Sequence, residues 1–226
     1  MVSPVDQNIF IPLSVLLMRL LVSITLLTFS QFALADELAE ETTEESRNAA
    51  IEIVEQLHTN LLEVMQTADT MSFAERYAKL EPAISESFYT PLISKVILSR
   101  YWKDLTQEQQ TDFIDLFNRQ STATYASRFD SFDDEVFKIK TVEQLKKGRL
   151  LIRSEIQSKN DDPVNLDYLM HNNNDNWYII SVIADGVNDL SLKRAEYSAI
   201  IKENGYEYLV TSIEQKITDL RNKNDK

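Results

Sequence analysis

The stretch that most constrains this chain is WYIISVIADG, residues 177–186. It reads as a strand with apolar residues on both faces. Under strict alternation Trp177, Ile179, Ser181 and Ile183 point one way, and Tyr178, Ile180, Val182 and Ala184 the other. A strand with one wet face would alternate apolar with polar. The expectation is therefore an apolar cover on each side of its sheet, one provided by helices and the other by helices or a ligand.

The segment before it has a period of two. Phe137 and Ile139 alternate with Lys138 and Lys140; Leu150, Ile152, Ser154 and Ile156 with Leu151, Arg153 and Glu155; Val164, Leu166, Tyr168 and Met170 with Asn165, Asp167 and Leu169. Polar turns at 146–148, 159–163 and 172–176 separate the runs. Four strands joined this way make an antiparallel meander. A one-residue slip would expose whole apolar rows, so the register is well specified.

Helical spacing flanks the meander. Ala50, Val54, Leu57, Leu61, Val64 and Ala68 step by four and three. Phe73, Tyr77 and Leu80 share a face, and Glu81-Pro82 is expected to break that run. Thr90-Pro91 reads as an N-cap with Pro at the first helical position. Thr106 to Gln109 has capping-box spacing and opens a long helix to about Phe129, with Phe113, Ile114, Phe117 and Tyr125 on its apolar face. After the sheet, Leu190 to Asn204 is one helix closed by Gly205. Tyr206, Leu209, Ile213, Ile217 and Leu220 stripe the last one. The fold class is α+β: helices packed over one face of a bent antiparallel meander.

The N-terminus reads as an export signal over residues 1–35. Met18-Arg19, Met18 being the alternative start, leads into the apolar run Leu20–Phe29. Ala33-Leu34-Ala35 forms the cleavage site, with the cut after Ala35. That localises the mature chain to the periplasm. An uncleaved anchor over about Leu13–Leu34 is the competing reading. Residues 36–48 read as a flexible acidic stretch, and residues 49–222 as a single domain. The whole chain of 226 residues carries a net charge of -13 and no cysteine. The charge argues against nucleic acid and against simple adsorption to anionic lipid. The missing thiols exclude disulfides and Cys-based metal sites. Export provides an oxidising compartment that the chain does not use.

Catalytic and phosphate-binding motifs are missing as well: no G-x-S-x-G, no Gly-rich phosphate loop and no H-E-x-x-H. His58 sits at the edge of a helix face and His171 heads an Asn-rich turn. Asp133-Asp134 and Asp161-Asp162 read as solvated turn charges. Asp185, at the end of the apolar strand, reads as a turn or cap residue. No enzyme, metal or cofactor is expected.

Taken over its length, the chain resembles the MlaC family of periplasmic lipid-transport auxiliary proteins, once called toluene-tolerance proteins. The likeness runs through ERYAKLEPAISESFYTPLISKVILSRYWKDLTQEQQTDFIDLF and Tyr125-Ala126-Ser127-Arg128-Phe129. It continues through the strand ending in Asp185-Gly186-Val187, the helix with Arg194 and Tyr197, and Gly205. The wording ADGVNDLSLKRAEYSAI and YASRFDSF is most similar to the hopanoid-associated HpnM branch. Ser181 and Asn188 depart from the pattern, standing where Asp and Ser are expected.

The resemblance implies an NTF2-like cone with an apolar lipid pocket between sheet and helices. It also implies a phospholipid or related cargo and partners in the inner- and outer-membrane complexes of an ABC transport system. A hopanoid-like polycyclic cargo and a cargo-free periplasmic adaptor are the alternatives. The expected lining comes from apolar residues of both layers: Trp102, Phe113, Phe117 and Tyr125 from the helices; Phe137, Ile139, Leu150, Ile152, Leu166, Tyr168, Trp177 and Ile179 from the sheet. Such a pocket is expected to be soft and free of anchoring charges.

Overall fold

A computed structural model describes residues 42–159 and 161–224. The expected export signal, its cleavage site and residues 36–41 of the acidic stretch lie outside these. Helix α1 (Glu44–Gln66) is followed by α2 (Phe73–Ser87), α3 (Thr90–Leu98) and α4 (Gln107–Arg128). Strands β1 (Val136–Leu145), β2 (Arg149–Gln157), β3 (Val164–Asn173), β4 (Asn176–Ala184) and β5 (Val187–Asn188) come next, then α5 (Asp189–Asn204) and α6 (Tyr206–Asn224). The sheet is an antiparallel meander in the order β1-β2-β3-β4-β5. It matches the expected four strands and adds β5 as a short fifth.

Turn chemistry fixes the hairpins. Asn174 and Asp175 have φ of 52° and 64°, and Asp185 and Gly186 have 46° and 80°. Each pair closes a two-residue loop, between Asn173 and Asn176 and between Ala184 and Val187. Two consecutive positive φ values suit the right-handed twist of the flanking strands. Asp185 serves this turn: its Oδ1 accepts from Asn165 N at 2.9 Å, and its own N–H donates to Asn165 O at 3.0 Å.

Cross-strand pairing aligns the apolar residues into rows. Val142, Ile152, Tyr168 and Val182 form one; Leu150, Met170 and Ile179 form the next; Ile139, Ser154, Leu166 and Ala184 a third. Bulges at Lys140 in β1 and Ile180 in β4 interrupt strict alternation. A bulge bends and twists its strand and re-aims side chains. Here the β4 bulge moves the inner row from Ile179 to Val182 and Ala184, where unbroken alternation would have placed Ser181 and Ile183.

The expectation of an apolar cover on both faces is corrected. The helices all lie over one face. The opposite face carries a charged row, in which Arg153 pairs with Glu143 at 2.7 Å and with Asp167 at 2.8 Å, and Lys140 pairs with Glu155 at 2.6 Å. Apolar residues on both faces of β4 misled the reading because Tyr178 is covered locally, stacked on Tyr89 at 5.2 Å.

Two further expectations change. Pro82 lies inside α2 and does not end it. Pro82 and Ala78, whose carbonyl loses its intrahelical donor, are both exposed, so water can take up that carbonyl. Leu80, Ala83, Ile84 and Ser87 hold the buried face of the helix together across the proline. Residues 44–48, expected to be loose, form the start of α1, capped by Thr43. They are tied to the sheet: Trp177 Nε1 donates to Ser46 Oγ at 2.9 Å, and Arg47 Nη1 to Val142 O at 3.0 Å.

Candidate functional site

Between the inner face of the sheet and helices α3, α4 and α5 lies a cavity of about 320 Å³. Its sheet wall is Ile156, Val164, Leu166, Tyr168, Ile180, Val182 and Ala184. Its helix wall comes from Ile93 and Ile97 of α3, Phe117 and Tyr125 of α4, and Leu190 of α5, with Phe88 and Phe129 from the adjoining loops. The blind end is formed by buried residues, among them Ile97, Phe117, Gln120, Tyr168 and Ile180. Exposed lining residues, Arg128, Val164 and Asp189, mark the mouth. It lies at the sheet edge where β1, β3 and β5 begin and β2 and β4 end.

That edge also gathers exposed apolar side chains. Val136, Val164 and Val187 stand at the strand ends, with Phe132 just before β1 and Leu192 in the first turn of α5. Surface hydrophobics scattered singly need no explanation; of these, Val164 also lines the cavity.

The aromatic wall is held by ring packing. Tyr125 stacks on Phe129 at 5.6 Å and tilts against Phe88 at 5.8 Å. Burial pushes the Tyr125 and Tyr168 hydroxyls up, so both stay protonated and the inner wall carries no charge. Charges occur only at the mouth, where Arg128, Asp189 and Lys193 line the cavity and Lys193 pairs with Asp189 at 3.5 Å. The charged lining residues are thus confined to the rim.

Of the residues expected to line a pocket, Phe117, Tyr125, Leu166 and Tyr168 lie together on this cavity. Phe113, Leu150, Ile152 and Ile179 are fully buried in the core, and Trp177 nearly so under α1. Ile139 and Trp102 are half-buried against the core, and Phe137 stacks on the His58 ring at 4.2 Å. Sequence reasoning missed Gln120, Thr124 and Arg128. They follow Phe117 on the inner face of α4 at helical spacing, so the period could have found them, but a search for apolar linings passes over polar residues. Ser181 and Asn188, the two departures from the family pattern, lie 3.3 Å apart through Oγ and Oδ1. Asn188 caps α5 by accepting from Ser191 N at 2.9 Å.

The phospholipid-binding protein from Ralstonia solanacearum, solved in complex with a phospholipid, superposes with a TM-score of 0.67 at 18% identity. The match covers 76% of this chain and 98% of that one, and shows a shared fold. No curated protein sequence matches this chain. The family profile described as MlaC protein matches residues 55–215. The chain belongs to the MlaC family.

Proposed function

We propose that this protein is a periplasmic lipid carrier, which takes acyl chains into the cavity between sheet and helices and moves lipid between the membrane complexes of an ABC transport system. The observation that carries the reading is the largely apolar cavity, charged only at its rim and open at one sheet edge. Family membership and a structural relative solved with phospholipid support it.

The energetics give the cavity its purpose. Each methylene moved out of water is worth about 0.8 kcal/mol, so a diacyl lipid with about 30 methylenes crosses water bare at a cost on the order of 20 kcal/mol. An apolar sheath removes most of that barrier. The cavity stands near the lower end of the roughly 300–1,000 Å³ typical of ligand sites, so it holds part of a two-tailed lipid and must widen to hold the whole. The acidic surface, with its net charge of -13, keeps the carrier off anionic bilayers until a partner receives it. The exposed apolar side chains around the mouth are the surface on which such a partner would sit.

The test is native mass spectrometry of protein purified without detergent from a lipid-replete host. A co-purifying mass of lipid size is expected, and its identity separates phospholipid from a polycyclic lipid. A bare protein mass, together with no uptake from added vesicles, would refute the carrier.

A further inference from the structure

At the blind end of the cavity sits Gln120, only 1% exposed. Tyr197, itself buried, donates its hydroxyl to Gln120 Oε1 at 2.5 Å. The amide is held by its oxygen. The other end of the amide, Nε2, is buried and has no hydrogen-bond partner in the protein. Three neighbouring polar groups of the lining are already used. Tyr168 Oη lies 3.0 Å from His58 Nε2, Ser181 Oγ bonds Asn188 Oδ1, and Thr124 Oγ1 donates to Gln120 O at 2.8 Å. Gln120 is thus held from behind by its oxygen, and its unpaired donor is buried in the wall of a largely apolar cavity. Buried polar groups are almost always paired, so an unpaired one at the end of a ligand cavity calls for a partner from the ligand.

Building on the carrier reading, we propose that the blind end of the cavity is a polar seat, where Gln120 Nε2 donates to an oxygen carried by the inserted part of the lipid. Such an oxygen has two chemical sources. It is an ester carbonyl if the lipid enters to the depth of its glycerol linkage, or a hydroxyl if the buried chain or ring system bears one. A plain saturated tail driven to the end of the cavity would bury the amide against methylenes and bind less well.

Two matched probe pairs separate the sources. The first is a diacyl phosphatidylglycerol against its dialkyl ether of equal chain length. The second is the ether lipid against the same ether lipid with a hydroxyl near its chain end. Delipidated full-length protein is loaded from competing mixtures and read by native mass spectrometry, for wild type, Gln120→Leu and Tyr197→Phe. The wild type should prefer the oxygen-bearing member of one pair by roughly tenfold. Gln120→Leu should erase that preference while still loading the oxygen-free lipid. Tyr197→Phe, which frees the amide to turn, should weaken the preference. Preference in the first pair assigns the ester, and in the second the hydroxyl. Loading without preference in the wild type, or with the preference intact in Gln120→Leu, overturns the seat and leaves the carrier standing. Failure of the wild type to load any probe sinks both. Melting curves for each variant confirm that loading is compared between folded proteins; should Gln120→Leu not fold, wild type against Tyr197→Phe decides.

Discussion

The imidazole Nε2 of His58 lies 3.0 Å from the phenolic oxygen of Tyr168, joining the middle of α1 to the inner face of β3. Phe137 stacks on the same imidazole at an interplanar angle of 13°. Tyr168 also lines the cavity, so this contact fixes one wall of it.

Burial pushes the His58 imidazole down to about 4 from its ordinary 6.5. The folded state therefore holds it neutral where the unfolded chain protonates it. Between those two values the unfolded state binds more protons, so stability rises with pH across the window. It is complete above about pH 6.5 and falls as the pH drops toward 4, with a contribution of about 3 kcal/mol. Wild type and His58→Gln should be compared by denaturant unfolding at pH 7.5 and 4.5. The wild type is expected to lose about 2–3 kcal/mol more than the variant. Equal losses would show that His58 does not titrate on unfolding.

Arg76 supplies a second, larger contrast. It is buried in α2, and the three acceptors it donates to are all neutral oxygens. Its Nε donates to Ala126 O at 3.0 Å, Nη1 to Met71 O at 2.8 Å, and Nη2 to Asn224 Oδ1 at 3.1 Å. One side chain thus binds α2, α4 and the end of α6. Arg119 is more exposed and pairs with Asp115 and Glu214 on the surface. Arg76→Met should cost about 2–4 kcal/mol, because it strands buried carbonyls. Arg119→Ala should cost no more than about 1 kcal/mol, as exposed ion pairs do. Denaturant midpoints rank the two, and a larger loss at Arg119 would contradict the buried role of Arg76.

These two residues also show where reading the sequence stopped. Period-two and helical spacing located the strands and helices because burial on one face repeats along a chain. The capping box at Thr106 and Gln109 fixed the start of α4, since it is a local device with a fixed spacing. Arg76 and His58 were opaque because their partners lie 50 and 110 residues away. The bulge at Ile180 was equally hidden, since nothing in WYIISVIADG says which residue is left unpaired. That single bulge decides which row of β4 faces the cavity. It is the reason Val182 and Ala184 follow Ile179 on the inner face, where strict alternation would place Ser181 and Ile183.

Gly205 joins α5 to α6 with φ of 88° and ψ of 170°. This region of backbone space is essentially closed to residues with a Cβ. An added Cβ would meet nothing within 4 Å, so any cost comes from the backbone alone. Gly205→Ala is expected to lower stability by about 1–3 kcal/mol. Thermal and denaturant unfolding measure it. An unchanged midpoint would mean that the two helices can be joined by another conformation.

Ala184 offers a test of the cavity that does not attack the core. It lies at the end of β4, half-buried, on the cavity wall and near the mouth, in a row with Leu166 and Ser154. A large side chain at this position has empty volume to enter, so Ala184→Trp avoids most of the roughly 1–3 kcal/mol penalty of overpacking a filled core. The indole would occupy much of a space that measures about 320 Å³. The melting temperature should stay within a few degrees of wild type, while lipid recovered per mole of protein falls by about tenfold, as expected when a ligand cavity is filled. Ile179→Asp is the complementary control: it places a charge in the closed core, and it should reduce stability and loading together. Native mass spectrometry and a melting curve on the same preparations separate the two effects. Full lipid loading in a stable Ala184→Trp protein would show that the lipid binds elsewhere.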